Sequence, residues 1–185
     1  LLSGQVSDTS GNLAAAATLG TFSVGVSDSV APTANLTVAN ITNSGSSTHT
    51  FTVTYSDNVA VDVSDITSTN VRVTGPNGYG QYATLVSVDV NSDGTPRTAT
   101  LRITAPDDTW AFADNGTYTV SLRASQVSDT SGNLAAAATL GTFSVTLAQP
   151  APEVVVEKFG SFDGQTRVTL TRPGANGTVV TYSIK

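Results

Sequence analysis

Residues 5–24, QVSDTSGNLAAAATLGTFSV, recur without one change at residues 126–145, a period of 121 residues (126 less 5). That period is too long for a solenoid unit and suits one sandwich domain, so the chain reads as a slice through an array of repeats. Each copy has the character of a domain's end. Ser-Asp-Thr-Ser-Gly-Asn is a run of turn formers, four alanines make a neutral connector, and Thr-Leu-Gly-Thr-Phe-Ser-Val alternates as a strand does. The expected organisation is therefore the last strand of a preceding repeat at 1–24, a linker at 25–31, one whole β-sandwich repeat at 32–145, and a partial or small β module of unassigned type at 146–185. The tail strand at 18–24 carries an apolar stripe and open backbone groups, so it is expected to pair with the C-terminal strands or with a neighbouring molecule.

Alternation fills in the middle. Ala34, Leu36 and Val38 open the repeat, and His49, Phe51, Val53 and Tyr55 share one face of a second strand whose other face is threonine. Val71 and Val73 begin another strand, stopped by Gly75-Pro76-Asn77-Gly78. Residues 82–90 and 97–103 are predicted to form a hairpin around Asp93-Gly94, with Val86, Val88 and Val90 facing Ala99, Leu101 and Ile103. Residues 117–122 and 140–145 close the repeat, and Phe51, Val53, Leu101, Ile103, Tyr118, Val120 and Phe143 are the expected shared core. Only 134–138 could suggest a helix. About seven strands spaced by turns predict an all-β fold, an antiparallel two-sheet sandwich.

Composition narrows the function. The formal net charge is −6 and the eight basic residues are scattered, which argues against nucleic acid. No apolar run approaches eighteen residues, so membrane insertion is not expected, and a secretion signal is expected outside the segment. Zero Cys removes disulfides, a thiolate zinc site and a cysteine nucleophile, and the single His49 cannot build a triad. Asp57 with Asp62, or Asp107 with Asp108, lacks a cleft for glycoside chemistry. No enzyme is expected. Trp110, Phe112, Tyr79 and Tyr82 leave a carbohydrate-binding module as the alternative function.

Twelve of the fourteen acids are Asp, mostly in Gly, Asn and Ser-rich loops. Asp there serves Asx turns, and it also serves calcium, which takes six to eight oxygens. The richest group is Asp57 to Asp65, Asp129 to Asn133, and Asp28 in the linker. A weaker candidate, Asp89-x-Asn91-x-Asp93-Gly94, copies the opening of an EF-hand loop, but position twelve is Thr100 and the flanks are strands, which favours a hairpin turn.

Asp114-Asn115-Gly116-Thr117-Tyr118 matches the D-x-G-x-Y of immunoglobulin-like and cadherin-like domains, in which the Tyr bonds back to nearby backbone as a tyrosine corner. With D-x-x-G-N near the domain's end, Asp28 before Ala31-Pro32-Thr33, and Ser56-Asp57-Asn58-Val59-Ala60-Val61-Asp62, residues 1–145 resemble bacterial immunoglobulin-like and cadherin-like repeats of large calcium-dependent, RTX-type surface adhesins. The resemblance implies a Greek-key sandwich, structural roles for Asp114, Gly116 and Tyr118, and an extracellular or cell-surface spacer or adhesion module. Its partners would be neighbouring repeats and a cell-surface or carbohydrate ligand. It also implies a calcium ion where domains meet, drawing on Asp8, Asn12, Asp28, Asp57 and Asp62, beside the simpler reading of these residues as Asx turns. On that pattern Asp129 and Asn133, whose following linker has Gln149 where Asp28 would fall, are expected to keep a turn role or to form only a weaker metal site.

Overall fold

The computed structural model describes residues 1–151 and, beyond them, three strands: β9 (Glu153–Glu157), β10 (Thr166–Thr171) and β11 (Val180–Ile184). Those three form an antiparallel sheet with β10 in the middle. The body of the chain is two further antiparallel sheets. One has the order β1 (Thr33–Thr37), β2 (Thr48–Ser56), β6 (Arg97–Thr104), β5 (Thr84–Val88); the other has β4 (Gly80–Tyr82), β3 (Val71–Thr74), β7 (Gly116–Leu122), β8 (Ala138–Val145).

The Thr/apolar alternation sets which side of each strand is buried. In β2, Phe51, Val53 and Tyr55 turn inward and pair with Leu101, Ala99 and Arg97 of β6. In β7, Tyr118, Val120 and Leu122 turn inward. Phe51, Val53, Leu101 and Ile103 from one sheet and Val71, Val73, Tyr118, Val120 and Phe143 from the other belong to a single buried cluster, which makes the pair a β-sandwich. All seven expected core residues are in it. The segment after β1 ties the two sheets together, because Ile41 crosses to the edge of β8 and exchanges hydrogen bonds with the Ser144 carbonyl (2.9 Å) and the Thr146 amide (2.9 Å).

The segment 82–90 departs from the expected single strand. Residues 80–82 belong to one sheet, Ala83 is fully buried where the chain crosses over, and residues 84–88 belong to the other. A bulge between Leu85 and Ser87 then shifts the alternation, so Leu85 and Val88 pack against the core while Val86 and Val90 are about half exposed. Residues 134–138 form no helix; Leu134 instead bridges to Ser128. The tail segment 18–24 does not pair with the C-terminal strands: it lies outside any strand, with Phe22 90% and Val24 75% exposed.

His49 gives the sandwich a pH dependence. Burial, opposed by a backbone hydrogen bond to Ala39, holds its imidazole below the ordinary value, and its ring lies 4.9 Å from Phe143. The unfolded chain therefore takes up the proton first. Stability from this group is complete above about pH 6.5 and falls as pH drops from there through the folded value. Urea midpoints at pH 7.5 and 5.5 should converge in His49→Phe; an unchanged difference would remove His49 as the source.

Candidate metal centre

The repeated sequence builds the same loop twice. In the first copy the Asp8 carboxylate accepts from the amides of Ser10 and Asn12 (both 2.9 Å) and from the Asn12 side chain (2.8 Å). In the second, Asp129 accepts from Ser131 and Asn133 (both 2.8 Å) and from the Asn133 side chain (2.7 Å). The backbone bonds that close the loop match as well, Ala14 to Val6 and Ala135 to Val127, both at 2.8 Å. Short-range Asx bonding thus fixes the loop wherever the sequence occurs. At Asp8 the hydrogen bond from the Asn12 side chain, helped by backbone amides, holds the carboxyl below its ordinary value. At Asp129 burial would raise the carboxyl, but the bonds from Asn133 and Ser131 outweigh it and lower it.

What differs is the company. Asp8 is exposed, whereas Asp129 is buried and sits in one group with Asp28 and Asp57, each offering an oxygen within 4.8 Å of the others. The Val61 to Asp129 bridge and the Asp62 to Ser128 backbone bond (3.0 Å) dock the second loop on residues 57–65. Asp28 is drawn in from the linker by two amides: Asn58 donates to its carboxylate (3.1 Å), and Asn133 donates to its carbonyl (3.2 Å). Asp57 uses one oxygen to accept from Val59 (2.7 Å) and Ala60 (3.1 Å). The donors that surrounding residues offer to the three carboxylates are neutral amides, and the Asp28 side chain is itself a hydrogen-bond partner of Asp129. Asp28 Oδ2 and Asp57 Oδ1 are buried without any partner. Carboxylates this close repel one another when charged, and a buried unpaired acceptor adds its own cost. An all-oxygen, anionic donor set with free buried lone pairs is chemically suited to a hard cation.

The other candidates are placed elsewhere. Asp62 caps a short 3₁₀ turn, accepting from the Ser64 amide (2.9 Å) and hydroxyl (2.6 Å). Asp89 holds the β5–β6 connection by accepting from Val90 (2.8 Å) and Thr98 (3.0 Å), and the Thr98 bond is the largest cause of its lowered carboxyl. Asp93 accepts from Val63 (3.0 Å), and Asn91 is exposed. Asp8 and Asn12 bond each other in the tail. The geometry therefore joins Asp28 and Asp57 to the loop of their own domain, Asp129 and Asn133, instead of to Asp8, Asn12 and Asp62. Sequence spacing could not show this, because the docking depends on Val61 reaching residue 129.

At 114–118 the Tyr118 hydroxyl donates to the Asp114 carbonyl at 3.0 Å, and Asp114 accepts from the Ala111 amide at 2.8 Å. Burial, then the Asp114 charge, push the Tyr118 hydroxyl up to about 12, so it remains a donor at neutral pH. Of the aromatic residues that could stack on a sugar, Trp110 is fully buried and Tyr82 lies beneath the guanidinium groups of Arg72 and Arg123. A cleft of about 450 Å³ beside Tyr79 and Gln81 has its main polar groups spent internally, with Tyr79 donating to the Thr104 carbonyl (2.7 Å) and Gln81 to the Thr104 hydroxyl (2.9 Å). No model of a known protein family matches the chain, and no curated protein is similar to it.

Proposed function

We propose that this chain carries a non-catalytic, immunoglobulin-like and cadherin-like Greek-key repeat of a large extracellular surface protein, serving as spacer and adhesion module and stiffened by calcium. The strand orders β1-β2-β6-β5 and β4-β3-β7-β8 support the immunoglobulin-like reading, as does the Tyr118 hydroxyl bonded to the Asp114 backbone at the start of β7. The observation that carries the calcium reading is the linker carboxylate of Asp28 held against Asp57 and Asp129 with buried oxygens left unpaired.

An ion there would relieve the repulsion and bind the linker to two loops of the domain that follows it. The linker at 25–31 would then act as a fixed strut, which is what a spacer in an array needs. Sites of this kind in extracellular modules bind in the range of about 10⁻⁴ to 10⁻³ M, so millimolar calcium should raise the thermal midpoint by mass action. Calorimetric titration of the native chain should show binding, with Asp28→Asn and Asp129→Asn weakening it at least about tenfold through loss of an anionic oxygen. Asp8→Asn and Asp62→Asn should bind as the native chain does. Absence of heat and of thermal shift in the native chain, or unchanged binding in Asp28→Asn, would overturn the calcium reading.

A further inference from the structure

We propose that residues 5–24 of one chain can take, in a second chain, the place that residues 126–145 hold, so that two copies join by exchanging closing segments. The exchange does not depend on calcium. The two segments are identical, so every contact that residues 126–145 make can be made by residues 5–24 with the same atoms. β8 pairs with β7 through Thr117↔Ser144, Tyr118↔Phe143 and Thr119↔Thr142, and in the exchanged form Ser23, Phe22 and Thr21 would stand there. The site that the two segments compete for is deeply buried. Phe22 and Val24 are 90% and 75% exposed, whereas Phe143 and Val145 are 1% and 2% exposed. Val6 is 54% exposed and its counterpart Val127 is fully buried.

The loop of the free copy already has the shape of its bound counterpart. Its Asp8–Asn12 loop repeats the hydrogen bonds of Asp129–Asn133 one for one. Gly20 sits at φ 156° where Gly141 sits at 155°, and Gly11 at 85° where Gly132 sits at 89°. The loop needs little further ordering on docking, which lowers the cost of association, while the strand at 18–24 forms only on pairing with β7. Exchange would also carry Asp8 to the position of Asp129, beside Asp28 and Asp57 of the second chain, so the acidic group would be completed in trans.

Because residues 5–24 and 126–145 make the same contacts, those energies cancel. The closed monomer keeps its advantage through the short connection of residues 123–125, which gives its own segment a high effective concentration at β7, and through Leu147, buried just past the repeat and hydrogen-bonded to Asn115, where Val26 would stand in the exchanged form. Protein concentration and any damage confined to one copy then decide the outcome, as in domain swapping generally.

The test uses the full chain, in EDTA so that failure is separable from failure of the calcium reading. Phe143→Ala damages the resident segment and leaves residues 5–24 intact. Its dimerisation constant after unfolding and refolding, measured by sedimentation, should exceed that of the native chain roughly a hundredfold. Adding Phe22→Ala, a change at an exposed side chain, should abolish that gain. Should Phe143→Ala not fold, Thr21→Cys with Thr119→Cys in the otherwise native, cysteine-free chain should give an interchain disulfide on refolding at high concentration, with Thr142→Cys and Thr119→Cys as the closed control. A folded Phe143→Ala that stays monomeric, a dimer that survives Phe22→Ala, or a 21/119 pair that forms no interchain bond while the control closes would each overturn the proposal.

Discussion

Replacing Trp110 with alanine should remove about 3 to 5 kcal/mol, a third or more of the stability of an ordinary domain. The residue sits in a loop and yet is fully buried. Its ring meets Tyr118 edge-on at 5.4 Å and lies 6.4 Å from Tyr79, so it closes one end of the sandwich. Its backbone is fixed on both sides, with the Trp110 amide donating to Ser46 (2.9 Å) and its carbonyl accepting from Gly45 (3.1 Å). The surrounding loops therefore cannot collapse easily into the space alanine would leave. The indole N–H is buried without a partner, a standing cost that phenylalanine would not carry. Trp110→Phe is accordingly expected to lose far less than Trp110→Ala in urea unfolding. A loss below about 1 kcal/mol for the alanine variant would mean that the loop is not packed as described.

The duplicated segment separates what local sequence determines from what it does not. The turn at 8–12 and the turn at 129–133 are the same, because their bonds run between residues two to four apart. The strand is not the same: residues 139–145 extend along β7, while 18–24, with identical side chains, belong to no strand. Strand propensity needs a partner edge, and alternation alone cannot supply one. The same limit explains the segment 82–90. Alternation is legible in β2, β6 and β7, where one face is buried along the whole strand, but a crossing at Ala83 and a bulge at Leu85 and Ser87 leave no periodic mark. For the acidic group, the choice of Asp28, Asp57 to Asp65 and Asp129 to Asn133 as the richest set was open to composition and turn chemistry. Which copy of the loop would meet Asp28 was not, since that follows from the Val61 bridge and from the Asn133 bond to the linker carbonyl.

Gly75→Ala should cost about 3 kcal/mol, the upper end of what overpacking usually costs, although it adds a single methyl group. The backbone is not the reason, because Gly75 has φ −155°, extended and open to any residue. The reason is the Tyr118 ring: a Cβ on Gly75 would lie inside the contact surface of its Cδ1 and Cε1 and 3.0 Å from its Cζ. That ring has nowhere to go. It stacks on Phe143 at 5.1 Å, meets Tyr79 and Trp110 edge-on at 5.3 and 5.4 Å, and is held at its far end by the hydroxyl bond to Asp114. Strain must then pass to the β3 end, where the Gly75 amide donates to the Tyr79 carbonyl at 3.0 Å. A double-mutant cycle isolates this clash from general loop damage. Tyr118→Phe keeps the ring and should leave the Gly75→Ala penalty in place, whereas in a Tyr118→Ala background the added methyl should cost little or even stabilise by filling space. Additive penalties in the alanine background would show that the cost arises from the glycine's backbone and not from the ring packed against it.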